Sequence, residues 1–261
     1  MGLYELFGLE GKIAIVTGGY GHLGQDMCRA LEDAGAIVYL AGRNEEKCKD
    51  VSALISKKGR IFPIVMDIAS EESIKYACDQ IIERHNQIDI LVNNASRSAA
   101  NVFHEMKMEE WNAGIDGSVS GVFRVTKEIL PIMVKNGGGS IINIASMYGV
   151  VSPNPSIYGD TGFDNPINYG VGKAGIIQFT KYIACHYGEK GIRINAISPG
   201  PFPSKKVQEN KWFIEQLSKK NPMKRIGRPE ELQGVIVFLA SNASSYITGQ
   251  NISVDGGWTA W

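Results

Sequence analysis

Ile13-Ala14-Ile15-Val16-Thr17-Gly18-Gly19-Tyr20-Gly21-His22-Leu23-Gly24 is the stretch whose reading decides the fold. Its first five residues are a short apolar run rich in β-branched side chains and bounded by glycine, which predicts a buried strand at 13–17. An amphipathic stretch at 22–34 follows the glycines, so the segment reads strand, tight turn, helix. A glycine cluster alone says little, but between a strand and a helix it has the context of a dinucleotide-phosphate loop. Glycine permits the turn and keeps side chains away where the backbone meets a pyrophosphate. It also lets the helix amino terminus face the negative charge. An ordinary βα turn is the plainer reading of the same residues.

The alternation continues along the chain. Strands are predicted at 13–17, 37–41, 61–65, 90–93, 140–145, 193–198 and 251–254, with helices between them at 22–34, 44–58, 70–85, 109–135, 168–187 and 229–241. Strands alternating with helices imply an α/β fold, a doubly wound seven-stranded parallel sheet of the Rossmann type with helices on both faces. No internal repeat or linker divides the 261 residues, so 1–261 is expected to be one domain. Two long segments, 150–166 and 200–222, are rich in Pro, Gly and polar residues and follow strand carboxyl ends, where open α/β sheets bind ligands. They are expected to be walls or lids over the site.

Lys plus Arg and Asp plus Glu both number 27, a balance that gives no sign of a nucleic-acid or anionic-membrane partner and points to a small molecule. Cys28, Cys48, Cys78 and Cys185 lack metal-ligand spacing, so free thiols in a reducing compartment, with no metal, are expected. The first twelve residues do not read as a signal peptide, and Leu6 stands where a myristoylation motif needs Ser or Thr. No segment reads as a bilayer span. The expected location is the cytoplasm.

After the second strand, Rossmann sites choose their cofactor: an acid suits the ribose 2′-hydroxyl of NAD, an arginine the 2′-phosphate of NADP. Here Arg43 follows Gly42, with no acid before Glu45. NADP is therefore the preferred cofactor, with NAD as the alternative. Further on, Tyr169 and Lys173 share a helix face at i and i+4, with Ser146 upstream at the end of a strand. A cation beside a phenol favours the phenolate and brings a group that ionises near pH ~10 toward the range of an acid/base catalyst. Taken alone, a Tyr-x-x-x-Lys pair is also an ordinary solvated helix face.

With these landmarks placed, the chain resembles the short-chain dehydrogenase/reductase family over nearly its whole length. The ordered matches are 17–24, Asp67-Ile68, Asn93-Asn94-Ala95, Ser146, Tyr169 with Lys173, Pro199-Gly200, Thr248-Gly249-Gln250 and Val254-Asp255-Gly256-Gly257. The resemblance implies an NAD(P)-dependent oxidoreductase that moves hydride between nicotinamide and a secondary alcohol or ketone. Tyr169 would exchange a proton with the substrate oxygen and also contact the cofactor, Ser146 would orient that oxygen, and Lys173 would lower the tyrosine pKa and hold the nicotinamide ribose. Gly18, Tyr20, Gly21, His22, Leu23 and Gly24 would meet the phosphates, and Asp67 and Ile68 the adenine. Asn93 and Ala95 would line the groove, and Pro199, Gly200 and Ser204 would border the nicotinamide. Asp89 would steady the sheet. A homodimer or homotetramer built on the helices at 109–135 and 168–187 is implied as well. The tail's Trp258 and Trp261 would pack either on another subunit or on their own domain.

Three departures stand out. The spacing Gly18, Gly21 and Gly24, with His22 in place of a middle glycine, resembles the branch that holds sugar-nucleotide epimerases and dehydratases, and such an activity stays as an alternative function, although those relatives carry a substantial second domain that the single-domain reading does not include. Ser118 stands where the family has a catalytic Asn that holds a relay water, and Asn112 would point elsewhere on the helix. This departure keeps open a non-catalytic dinucleotide-binding role. Lastly, the stretch between Ser146 and Tyr169 is longer than usual. Tyr148, Asn154, Tyr158, Asp160, Thr161, Asp164 and Asn165, with Arg97, would form a polar wall for a sugar-like substrate, as in members linked to bacterial surface-sugar biosynthesis. A merely longer surface loop is the other reading.

Overall fold

A computed structural model of the chain describes residues 2–97 and 102–261; Met1, where the amino-terminal reading begins, lies outside the described residues. β1 (Ile13–Thr17), β2 (Ile37–Gly42), β3 (Ile61–Val65), β4 (Ile90–Asn93), β5 (Gly139–Ile144), β6 (Ile192–Pro199) and β7 (Asn251–Val254) form one parallel sheet in the order β3-β2-β1-β4-β5-β6-β7. The order reverses between β1 and β4, which opens a crevice at their carboxyl ends where such sheets bind ligands. Strand alternation assigns each residue to a layer. Ile13, Ile15, Tyr39, Leu91 and Ile141 pack on one face against α4 (Glu71–His85), α6 (Gly121–Lys135) and part of α7 (Ile167–Tyr187). Ala14, Val16, Leu40, Val92 and Ile142 pack on the other against α2 (Gly24–Asp33), α3 (Glu45–Ile55) and α9 (Gln233–Ala240).

Local chemistry sets the helix boundaries. The side chain of Asn44 accepts from the Lys47 amide at 2.8 Å to start α3, and Ser70 accepts from the Ser73 amide at 3.1 Å to start α4. Asp89 is structural, as expected: it accepts from the Ile13 amide at 2.9 Å and pairs with Lys12 at 3.0 Å, at the edge of the sheet away from the crevice.

The single helix expected at 109–135 is instead α5 (Met108–Ile115) and α6, joined by one wide π-type turn at Asp116–Ser120. Two bonds pull the α ladder apart there. The Arg97 amide takes the Gly117 carbonyl at 2.8 Å, and Ser118 Oγ donates to the Gly114 carbonyl at 2.7 Å. Two helices were not foreseen: the short α1 (Leu3–Phe7), and α8 (Lys211–Lys219) inside the segment read as a loop at 200–222.

The long segment at 150–166 is not a loose surface loop. Ile157 and Tyr158 are buried in a small second core with Phe213 and Leu217 of α8, Met147 and Trp258. Gly159, at φ +49, lets the chain turn over the Trp212 ring. Trp258 packs on its own domain, anchored because Asp255 accepts from the amides of Gly257 and Thr259 at 2.9 and 3.0 Å. No helix among the described residues is long and apolar enough to cross a membrane.

Candidate active site

The glycine turn closes directly on the end of β4. Gly18 takes φ +62, and a Cβ there would lie 2.9 Å from Ala95 Cα; a Cβ on Gly24 would strike the Gly18 carbonyl oxygen. Thr17 Oγ1 accepts from the amides of Asn94 and Ala95 at 3.0 and 3.1 Å. In return, Asn94 Nδ2 donates to the carbonyls of Thr17 and Gly18 at 3.0 and 3.1 Å. This lattice fixes the turn and leaves its outer surface to face a ligand.

Gly18, Tyr20, Gly21, His22 and Leu23 line one side of a cleft of about 360 Å³. Arg43, Asp67, Ile68 and Ala95 line the other. The Tyr20 ring occupies the space where Gly42 has no Cβ, which holds it over the end of β2. The residues after β2 offer no carboxylate to the cleft: Arg43 is exposed at its lip, Asn44 caps α3, and Glu45 pairs with Lys49 at 2.6 Å. His22 also lines the cleft, and its buried Nε2 has no hydrogen-bond partner among the described residues. A glycine cradle, a helix amino terminus, an orphaned imidazole nitrogen and an arginine together fit a phosphate-bearing dinucleotide.

Two residues sit elsewhere than the sequence predicts. Asn93 does not line the cleft. As the last residue of β4 it points into the helix layer, where its Nδ2 donates to Thr126 Oγ1 at 3.1 Å and Asn143 Oδ1 at 2.9 Å, and Asn94 lines the cleft instead. Arg97 does not join a substrate wall. Held by its amide bond to Gly117, it lines the dinucleotide cleft and an adjoining cavity of about 170 Å³ shared with Asp67 and Asp116.

Ser146, Tyr169 and Lys173 converge at the carboxyl edge of β5. Ser146 is buried at the start of a tight turn, Met147–Gly149, and its Oγ accepts from the Tyr148 amide at 3.1 Å. Tyr169 stands in the first turn of α7. Lys173 lies one turn on, with Nζ 5.6 Å from the centre of the Tyr169 ring. Lys173 is 3 % exposed, and its Nζ donates to the Ile144 carbonyl at 2.7 Å.

Burial pushes the Lys173 ammonium down to about 8, and burial also raises the Tyr169 phenol, opposed by its hydrogen bond to Ser146. The expected lowering of Tyr169 by its lysine neighbour is therefore absent in the chain by itself. Desolvation dominates because Lys173 is turned to a carbonyl beneath the ring.

Ser118 reaches the same neighbourhood from the π-type turn. Its Oγ fills the space left by the missing side chain of Gly172, one residue before Lys173. Its proton is committed to the Gly114 carbonyl, so only acceptor capacity is left for a water. Asn112 is exposed, as its helical position predicts. Pro199 ends β6 beside β5, and Gly200 is pressed on Asp255, where a Cβ would lie 2.5 Å from Asp255 Cα. The Ser204 carbonyl accepts from the Gln208 amide at 3.0 Å.

Sequence reading missed Asn168. It is wholly buried beside Tyr169, its Nδ2 donates to the Glu110 carbonyl at 3.0 Å, and it fills the notch at Gly114. Only the knowledge that α5 packs there distinguishes it from any polar residue of a first helical turn. In the 150–166 segment, the side chains of Asn154 and Thr161 bond the segment's own backbone. Tyr148 and Tyr158 bond each other at 3.1 Å. Cys28, Cys48, Cys78 and Cys185 are free thiols, and no group of three His, Cys, Asp or Glu among the described residues is placed to hold a metal.

A family model described as enoyl-(acyl carrier protein) reductase matches residues 21–259. The chain is 35 % identical over 254 residues to a 3-oxoacyl-[acyl-carrier-protein] reductase FabG of Thermotoga maritima, covering 95 % of this chain and 98 % of the relative. A short-chain type dehydrogenase/reductase from Mycobacterium marinum superposes with a TM-score of 0.90 at 33 % identity, over 100 % of both chains. A gluconate 5-dehydrogenase from Burkholderia cenocepacia, solved with NADP and tartrate, superposes at 0.88 with 30 % identity, again over 100 % of both chains.

Proposed function

The chain belongs to the short-chain dehydrogenase/reductase family, and from that premise we propose that it is an NADP-dependent oxidoreductase interconverting a secondary alcohol and its ketone on a small, polar, sugar-like substrate. The observation that carries the reading is the meeting of Ser146, Tyr169 and Lys173 at the same sheet edge as the glycine turn and Arg43. Arg43, in place of a carboxylate after β2, favours NADP over NAD.

When bound, the nicotinamide supplies or accepts the hydride at the substrate carbon. In reduction, Tyr169 Oη gives its proton to the substrate oxygen, and Ser146 Oγ holds that oxygen in place. Lys173 serves as the charge next to the phenol and as a holder of the nicotinamide ribose. Ser118 contributes an acceptor for a relay water, and Pro199, Gly200 and Ser204 border the nicotinamide. Gly18, Tyr20, Gly21, His22, Leu23 and Gly24 cradle the phosphates, Asp67 and Ile68 meet the adenine, and Ala95 lines the groove.

A compact polar substrate is favoured by the packed 150–166 segment, and the gluconate 5-dehydrogenase likeness agrees with it. A 3-oxoacyl thioester is the second reading, favoured by the full-length match to the Thermotoga maritima reductase. The two separate in one assay: NADPH oxidation followed with polyhydroxylated ketones and with an acetoacetyl thioester. Turnover confined to the thioester overturns the sugar-like reading. The expected partner is a second copy of the chain, seated on α6 and α7, where an open groove of about 500 Å³ includes the half-exposed Phe123. The expected compartment is the cytoplasm.

A further inference from the structure

Tyr148 and Tyr158 bring hydroxyl groups to the otherwise apolar second core. Tyr148 belongs to the turn Met147–Gly149 that Ser146 caps, and that turn is pressed onto the helix bearing the catalytic pair. A Cβ on Gly149 would lie 2.8 Å from the carbonyl carbon of Lys173, and one on Gly170 would lie 3.1 Å from the Tyr148 carbonyl oxygen. Tyr148 is thus built on the same scaffold as Ser146, Tyr169 and Lys173. Tyr158 arrives from the extra segment, and its Oη donates to Tyr148 Oη at 3.1 Å.

One of the two hydroxyl protons is spent on that bond, so the pair keeps one proton to donate onward, and the bond polarises it. Burial raises both phenols, so they remain neutral donors. Packing fixes the rings independently of their hydroxyls. Trp258 meets Tyr148 edge-on at 6.5 Å between centroids, and Phe213 stacks on Tyr158 at 5.7 Å. Two phenylalanines would fill this core equally well, so filling it does not require the oxygens.

We propose that the Tyr148–Tyr158 hydroxyl pair is a second oxygen-binding subsite, reading a hydroxyl on the carbon next to the reacting one. Its substrates are then vicinal diols and α-hydroxy ketones. This rests on the reading above, in which Ser146 and Tyr169 hold the reacting oxygen. A site built to hydrogen-bond a substrate hydroxyl discriminates strongly against the analogue that lacks it.

The test is calorimetric binding of butane-2,3-diol and of butan-2-ol to the NADP⁺-loaded protein. Wild type is expected to bind the diol at least tenfold more tightly. Tyr148→Phe and Tyr158→Phe should each bring that ratio down about tenfold toward unity with NADP⁺ affinity unchanged, which reports an intact fold. Tyr182→Phe, an exposed tyrosine on the far part of α7, should leave the ratio alone. No preference in wild type, or an undiminished one in both phenylalanine variants, overturns the subsite. Tyr169→Phe separates this proposal from the reading beneath it. If that variant still turns over acetoin with NADPH, the catalytic assignment fails, whatever the diol ratio shows.

Discussion

Replacing Lys173 with methionine should make the folded chain more stable at neutral pH. Lys173 is 3 % exposed, and burial pushes its ammonium from 10.5 to about 8. A fall of that size means that the folded state holds the proton less favourably than the unfolded chain by about 3 kcal/mol. Below about 8 both states are protonated and the whole cost is present. Between about 8 and 10.5 the unfolded chain binds more protons than the folded one, so wild-type stability rises with pH. Above 10.5 both are neutral and the cost is gone.

Methionine has similar length and no charge, but it leaves the Ile144 carbonyl without its 2.7 Å donor. Losing that partner takes back roughly 1–2 kcal/mol. The expected net effect is a gain of about 1–2 kcal/mol at pH 7 that disappears, or turns to a loss, by pH 10. Urea unfolding of the cofactor-free protein at both pH values measures this. All other ionisable groups are common to the two proteins and cancel in the difference. A Lys173→Met variant less stable than wild type at pH 7, or a difference that does not change with pH, would show that Lys173 is not kept charged at the expense of stability.

Three further outcomes are expected. Arg43→Ala should weaken NADPH by roughly 10–100-fold, the worth of one charge-assisted bond, while NADH changes little in a fluorescence titration; equal losses would remove the case for NADP. Gly24→Ala should destabilise by about 1–2 kcal/mol and impair cofactor binding, since the new Cβ meets backbone on two sides and lies 2.9 Å from Gly19 Cα. A urea midpoint and affinity equal to wild type would contradict it. Trp258→Ala, which empties the centre of the small second core, should cost about 3 kcal/mol locally. Hydrogen exchange should then quicken together at 155–163 and 211–219 while β1 stays protected. Exchange that quickens in only one segment would show that the two do not form one core.

The central strands β1 and β4 were legible because they are buried on both faces and so appear as unbroken apolar runs; the partly exposed edge strands β3 and β7 also match residue for residue, picked out by their place in the alternation. The glycine turn was legible for a related reason, since Gly18 and Gly24 stand where any side chain would strike backbone. What escaped depended on contacts between distant segments. The π-type turn at Asp116–Ser120 is created by the Arg97 amide and the Ser118 hydroxyl, and neither leaves a mark on helical periodicity. α8 was hidden among lysines and prolines because its apolar face, Phe213 and Leu217, packs on distant parts of the chain, the 150–166 segment, Met147 and Trp258. Asn93 and Asn94 are adjacent letters whose roles exchange because strand alternation sends one to the core and the other to the cleft. Tyr148 and Tyr158, ten residues apart, meet only because that segment folds back over Ser146.

If Tyr169 is the proton donor of the proposed hydride-transfer site, Tyr169→Phe should separate cofactor binding from turnover. NADPH affinity, measured by fluorescence titration, should stay within about threefold of wild type because the substitution removes one hydroxyl and leaves Gly18, Gly21, Arg43 and Asp67, which line the dinucleotide cleft, in place. NADPH oxidation with the best ketone substrate should fall by at least about 100-fold, the scale of a lost general acid. Turnover that survives in this variant, with cofactor binding intact, would contradict the account.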